Sequence, residues 1–183
     1  MTAELVPLVL RFQQGDVDAF ATLVDRFGND LGRFLGHLVP DRGMAQDLLQ
    51  GLWLKAWTHR KSLKDPAKVK AWLYRIAHRE VLMRARSAGT EPSPEEDLDT
   101  RASSAAPPEE ILIREEDLGQ VMAHFEGLPP SFKEILWLAL VEEIPHSQIA
   151  RILDIPEGTC RSRLHHALDK LRKSVNEPGS RAS

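Results

Sequence analysis

LPPSFKEILWLALVEEIPHSQIARILDIPEGTCRSRLHHALDKLRK, residues 128–173, is the stretch whose reading decides the fold. Ser131 followed by Glu134, just after Pro129 and Pro130, has capping-box spacing and predicts a helix start. Ile135, Leu136, Leu138, Ala139 and Leu140 give that helix a broad apolar side. A short helix is expected from about His146 to Leu153, preceded by Pro145, with Ile149, Ala150, Ile152 and Leu153 for packing. Ile155-Pro156-Glu157-Gly158 should then break the chain before the last helix. In that helix Cys160, Leu164, Leu168, Leu171 and Val175 recur every three or four residues and form one narrow apolar stripe. At about 100° per residue the opposite side carries Ser162, His165, His166 and Asp169, flanked by Thr159, Arg161, Arg163 and Arg172. Three helices with a tight turn before the last have the outline of a helix-turn-helix, whose final helix puts its N-terminal residues against bases in the major groove. On pattern alone an ordinary three-helix bundle is the competing reading, since exposed Arg and Ser occur on any solvated helix face.

The 183 residues, 42% hydrophobic and 28% charged, suit one or two small soluble helical domains. No uninterrupted apolar run is long enough to span a bilayer, and the N-terminus lacks a basic-then-apolar layout, so no membrane insertion and a cytoplasmic address are expected. Cys160 is the single cysteine, which excludes an internal disulfide and a multi-cysteine metal site; its place on the apolar stripe predicts a packed thiol. His165 and His166 are neighbours that point about 100° apart on a helix, so they cannot close on one ion. Glycine-rich phosphate loops and nucleophile motifs are also missing, and we expect no catalytic residues, no metal, no cofactor and no enzyme activity.

The formal net charge of −3 hides a segregation along the chain. From Lys55 to Arg86 ten basic residues face only Asp65 and Glu80, a net of +8; from Ser87 to Asp117 ten acidic residues face only Arg101 and Arg114, a net of −8. Basic blocks of that density favour polyanions through counterion release. Leu5 to Gln14 make a short apolar start, and Gly15-Asp16 a break with Asp16 as N-cap. A long helix follows, with Phe20, Leu23, Val24, Phe27, Leu31, Phe34, Leu35 and Leu38 at helical spacing, interrupted by Gly28, Gly32 and Gly36. Pro40-Asp41 ends it and caps another helix, whose apolar face is Ala45, Leu48, Leu49, Leu52, Trp53, Ala56 and Trp57. The lysine-rich loop from His59 to Lys68, broken by Asp65-Pro66, should be mobile and electropositive. In the helix after it Val69, Trp72, Leu73 and Ile76 are expected to face inward, with Trp72 a core residue rather than a base-stacking platform. Residues 87–110, acidic and rich in Pro, Ser and Ala, form a flexible linker by composition. A helix over about 111–126 then reopens the structured chain, with Val121, Met122 and Phe125 packing on the C-terminal trio, and residues 176–183 form a tail.

Five strings carry a resemblance. Ile149-Ala150-Arg151-Ile152-Leu153, Ile155-Pro156-Glu157-Gly158-Thr159 and Arg161-Ser162-Arg163-Leu164-His165 resemble the C-terminal promoter-reading region of the small extracytoplasmic-function (ECF) group of sigma-70 factors. The run from Ala45 through Asp47-Leu48-Leu49-Gln50 to Trp57 is similar to the helix by which sigma factors grip the clamp helices of the largest subunit of RNA polymerase. Ala71-Trp72-Leu73-Tyr74-Arg75-Ile76-Ala77 resembles the family's minus-10 helix. The resemblance implies an all-α fold of two domains, a region 2-like bundle over 5–86 and a region 4-like helix-turn-helix over 111–175. It also implies core RNA polymerase, promoter DNA and an anti-sigma factor as partners. It makes Asp47 and Gln50 contacts to core polymerase. Thr159, Arg161, Ser162, Arg163, His165 and His166 become minus-35 contacts, and Lys61, Lys64, Lys68, Lys70, Arg75, Arg79 and Arg84 line a minus-10 groove. The sequence departs from the pattern at Gly51, where an acidic residue is usual, at Arg79, often Asn, and at His166, commonly Arg. A self-sufficient helix-turn-helix regulator and a degenerate sigma-like protein that sequesters partners are the alternatives.

Overall fold

The computed structural model describes residues 2–89 and 124–176, and they fall into two compact units divided after Pro92. Among the described residues every regular element is a helix or a turn of one. The linker of 87–110 beyond Gly89, most of the helix expected at 111–126 with Val121 and Met122, and the tail after Asn176 lie outside the described residues.

The N-terminal unit is built from α1 (Thr2–Gln14), α2 (Val17–Leu38), α3 (Arg42–Thr58) and α4 (Val69–Ser87). Each break has a local cause. Gly15 turns the chain at a φ of 92°, which glycine adopts without a Cβ clash. The Asp16 carboxylate then accepts from the amides of Asp18 and Ala19, both at 3.0 Å, and so caps α2. Asp41 caps α3 the same way, accepting from the Met44 amide at 2.8 Å. α2 buries Ala19, Leu23, Phe27, Leu31, Phe34, Leu35 and Leu38 against α3, α4 and α1. At Gly32 an added Cβ would rest 3.5 Å from Leu49, so of the three α2 glycines this one marks the approach of α3.

Two expectations need correction in this unit. The inward stripe of α4 is Val69, Leu73, Tyr74, Ala77 and His78, while Trp72 and Ile76 are half-buried at its flank. α4 packs on both α2 and α3, and this second wall draws Tyr74 and Ala77 inward and turns Trp72 outward. The loop before α4, expected to be mobile, is two single 3₁₀ turns, Arg60–Ser62 and Pro66–Lys68, with Leu63 buried between them. Asp65 closes the second turn by accepting from the Ala67 amide at 3.1 Å and pairing with Lys68 at 2.9 Å.

The C-terminal unit contains a helical turn at 124–126, α5 (Pro130–Leu136), a π turn (Trp137–Val141), α6 (His146–Leu153) and α7 (Glu157–Asn176). Its start and stop signals also differ from expectation. α5 begins one residue before Ser131, with Pro129 at the N-cap position and no side-chain cap hydrogen bond; Pro130 has no N–H to leave unsatisfied and its φ is already helical. After Leu136 the backbone widens, the Glu142 amide donating to the Trp137 carbonyl at 3.0 Å in the i to i+5 pattern. The turn between α6 and α7 is made at Asp154, left-handed at a φ of 56°, so Glu157 and Gly158 belong to the first turn of α7 rather than to the break. Asp tolerates that conformation because its short polar side chain bonds locally. The core comprises Ile135, Leu138, Ile149, Ile152, Cys160, Leu164, Ala167 and Leu168, with Phe125 against Trp137 at 6.3 Å.

Candidate polymerase and nucleic-acid interfaces

Asp47 and Gln50 are both exposed on α3, while Ala45, Leu48 and Leu52 hold the opposite side in the core. Their separation of three residues puts them on one face, where a carboxylate and an amide can meet basic and polar groups of a partner helix. Beside them Gly51 is overhung by α4: a Cβ there would lie 3.3 Å from Glu80 Oε2. Glu80 in turn pairs with Lys55 of α3. The carboxylate that packs beside Gly51 is thus mostly buried and engaged with Lys55, a cross-helix contact that only the packing reveals.

The seven basic residues expected to form one groove divide. At about 100° per residue Lys68, Arg75 and Arg79 lie within roughly 40° of one another, on the side of α4 opposite its buried stripe, and Arg86 continues the row. Lys68, Arg75, Arg79 and Arg86 are all exposed. Lys70 and Arg84 point to the other side of α4 and do not join the row; Lys70 is half-buried. Lys61 and Lys64 are exposed on the 3₁₀ loop just before the helix. Lys68 is engaged with Asp65, and that lysine, followed by the Ala67 amide, holds the Asp65 carboxyl below its ordinary range. The groove so defined consists of a loop and one helical row, with the half-buried Trp72 at its side. Trp72 reaches Phe12 at 6.4 Å, in a layer where Phe12 also meets Phe20 and Trp57.

On α7 the stripe of Cys160, Leu164, Ala167, Leu168 and Leu171 is buried. Burial also pushes the Cys160 thiol up from its usual value, as expected for a packed rather than reactive cysteine. Arg161 is exposed, and Thr159, Ser162, Arg163, His165 and His166 are partly exposed, so all six expected minus-35 residues reach the surface. They are not equivalent. The Ser162 hydroxyl donates back to the Thr159 carbonyl at 3.1 Å. Asp169 stands in the middle of the outward face, 3.5 Å from His165 Nδ1 and 3.8 Å from Arg172. Its carboxylate repels phosphate and is offset by Arg172, which stands a turn further along the same helix. The i, i+4 and i, i+3 spacings of these pairs are readable in the sequence, although the pairing itself is set by rotamers.

Among the described residues no group of three His, Cys, Asp or Glu side chains could hold a metal ion, and no helix is long and apolar enough to cross a membrane.

Known proteins match this arrangement in order. The Sigma-70 region 2 family matches residues 23–91 and the Sigma-70 region 4 family matches residues 118–171. The ECF RNA polymerase sigma-E factor of Haemophilus influenzae is 29% identical over 177 residues, covering 92% of this chain and 93% of that protein. The factor of the same name from Escherichia coli K12 is 29% identical over 178 residues, covering 92% of each. Among solved structures, the sigma factor RpoE in complex with the anti-sigma factor NepR from Bartonella quintana has a similar fold. Its TM-score is 0.64 at 23% identity, covering 87% of this chain and 98% of that one.

Proposed function

The chain belongs to the ECF group of the sigma-70 family, and on that premise we propose how its two units direct core RNA polymerase to promoters and initiate transcription. The observation that carries the reading is the order of the matches: region 2 falls on α2 to α4 of the N-terminal unit and region 4 on the helix-turn-helix. A self-sufficient operator-binding regulator has no use for the first, and a partner-sequestering protein has no need of the second. We assign the Asp47 and Gln50 face of α3 to the polymerase clamp helices. The minus-10 strand is assigned to Lys61, Lys64, Lys68, Arg75 and Arg79, and the minus-35 element to Thr159, Arg161, Ser162, Arg163, His165 and His166. Residues 5–86 and 111–175 are the working domains, and 87–110 joins them. An anti-sigma factor, the class of partner bound to RpoE in the related structure, is the third partner proposed.

The division of labour follows from chemistry. Arginine and lysine rows neutralise phosphates and position the strand, whereas specificity requires side chains that reach base edges. Arg161 supplies the strongest such group, a guanidinium that can donate two parallel hydrogen bonds to guanine. No step makes or breaks a covalent bond on this chain, so it works as a non-enzymatic initiation factor alongside polymerase in the cytoplasm. Reconstitution tests the proposal. The purified chain should co-elute with core polymerase and produce permanganate-reactive, melted promoter DNA and transcripts from it. DNA binding without polymerase, or polymerase binding without melting, would overturn it in favour of one of the two alternatives.

A further inference from the structure

Helix α1 precedes the part of the chain matched by region 2, yet its C-terminal end is built into the 3₁₀ loop that carries Lys61 and Lys64. Gln13 Nε2 donates to the Leu63 carbonyl at 2.6 Å and approaches the Arg60 carbonyl at 3.4 Å. Both acceptors belong to the loop's backbone, and Leu63 is buried between the two turns. Arg60 is held against Trp57 and passes close to Gly15. Its guanidinium lies over Trp57 at 4.7 Å, its Nη1 donates to the Trp57 carbonyl at 2.8 Å, and its Nη2 comes within 3.3 Å of where a Cβ at Gly15 would stand. Phe12, buried against Trp57 and Trp72, anchors the same end of α1 in the core. The loop has only single 3₁₀ turns of its own, which are too short to fix a conformation unaided.

We propose that Gln13 is a positioning residue for minus-10 recognition: by bonding the loop backbone across 50 positions of sequence it holds Lys61 and Lys64 in the geometry that receives the displaced strand. The proposal rests on the assignment of those lysines to minus-10 DNA. Gln13 touches no nucleic acid in this scheme. Removing its donor should leave the core intact, since Phe12 and Gly15 keep α1 docked, but it frees the loop to sample other shapes and blurs which bases are accepted.

The test uses holoenzyme reconstituted with core polymerase and a randomised pool of single-stranded oligonucleotides, followed by titration of the most enriched one. Gln13→Met keeps the side chain's length and helix propensity while losing the donor, and Gln13→Ala removes it altogether. For both variants affinity should fall roughly threefold to tenfold, the range of one lost backbone-directed hydrogen bond, with a flatter base preference. Affinity for core polymerase should stay unchanged, and the urea midpoint should fall by no more than the loss of one hydrogen bond. The loss should also shrink in a Lys61→Ala/Lys64→Ala background, because the two act through one contact. Unchanged affinity and base preference in Gln13→Met, with the lysine variant weakened, would overturn the proposal and spare the minus-10 assignment. A parallel drop in core affinity would also overturn it, reducing Gln13 to a fold residue. If the lysine variant binds like the wild type, the minus-10 assignment fails first and this inference with it.

Discussion

The two surfaces proposed to meet nucleic acid are assembled in opposite ways. The one on α7 comes from a single helix: Arg161, Ser162, His165, His166 and Asp169 keep their relative directions by helix geometry alone, whatever the core beneath them does. The one in the N-terminal unit is composite. It takes Lys61, Lys64 and Lys68 from the 3₁₀ loop, Arg75 and Arg79 from α4, and the shape of the loop from α1. The single-helix surface should therefore respond to substitutions one side chain at a time, whereas the composite one should respond to distant packing changes as a block.

The largest effect expected from this difference is in the aromatic layer. Phe12 is buried and contacts Phe20, Trp57 and Trp72, so Phe12→Ala should cost about 3–5 kcal/mol and release α1 from the loop. Urea unfolding followed by tryptophan fluorescence measures the cost. Oligonucleotide binding by folded protein should be lost although no DNA contact was altered; retained binding would mean that the loop holds its own shape and the contrast is void.

Next comes the face proposed for polymerase, where the side chains are exposed and the helix is held from behind. Asp47→Ala combined with Gln50→Ala should weaken core binding at least tenfold, given about 1.5–3 kcal/mol for a hydrogen bond to a charged group. The unfolding midpoint should hardly move, because surface changes stay within about 0.5 kcal/mol. A competition assay against the wild type reads the first, and a shifted midpoint would assign these residues to the fold.

The single-helix surface should give a narrower response. Arg161→Ala is expected to cost about 1–3 kcal/mol of discrimination at one minus-35 base pair and to leave the other positions as they were. Arg75→Ala with Arg79→Ala should instead weaken binding evenly across sequences and lower the salt slope by about 1.4–1.8, the loss of two phosphate contacts. Transcription over a promoter library separates the two; an even loss for Arg161→Ala would make α7 a backbone binder only.

The smallest effect expected is a pH dependence at the α2 cap. The Ala19 amide, then Arg11 at 2.7 Å, hold the partly exposed Asp16 carboxyl below its ordinary value. A carboxyl lowered in the folded state stabilises it fully above the ordinary aspartate range, and that contribution drains away as pH falls through the folded value. Comparing stability of the wild type and Asp16→Asn between neutral pH and about pH 3 should show the difference narrowing with acidification. A difference that stays constant would mean that the cap acts without its charge.

Local chemistry made much of this molecule legible from the chain alone. The all-helical class, the Asp16 and Asp41 caps, the bounds of α6, the packed Cys160 and the outward side of α7 all follow from spacing, because a helix repeats its geometry every few residues. For Asp47 and Gln50 spacing gives only their shared exposed side of α3; their proposed role comes from the family resemblance. What the sequence could not decide is whatever depends on a second element. α4 is rotated so that Tyr74 and Ala77 rather than Trp72 and Ile76 face inward, because it packs on two helices at once. The basic block splits into an exposed row and two residues on the other side, Glu80 packs beside Gly51 from a neighbouring helix, and Gln13 bonds a loop 50 residues away. Periodicity says which side of a helix is apolar; which neighbour arrives there, and from how far along the chain, is settled only when the cores close.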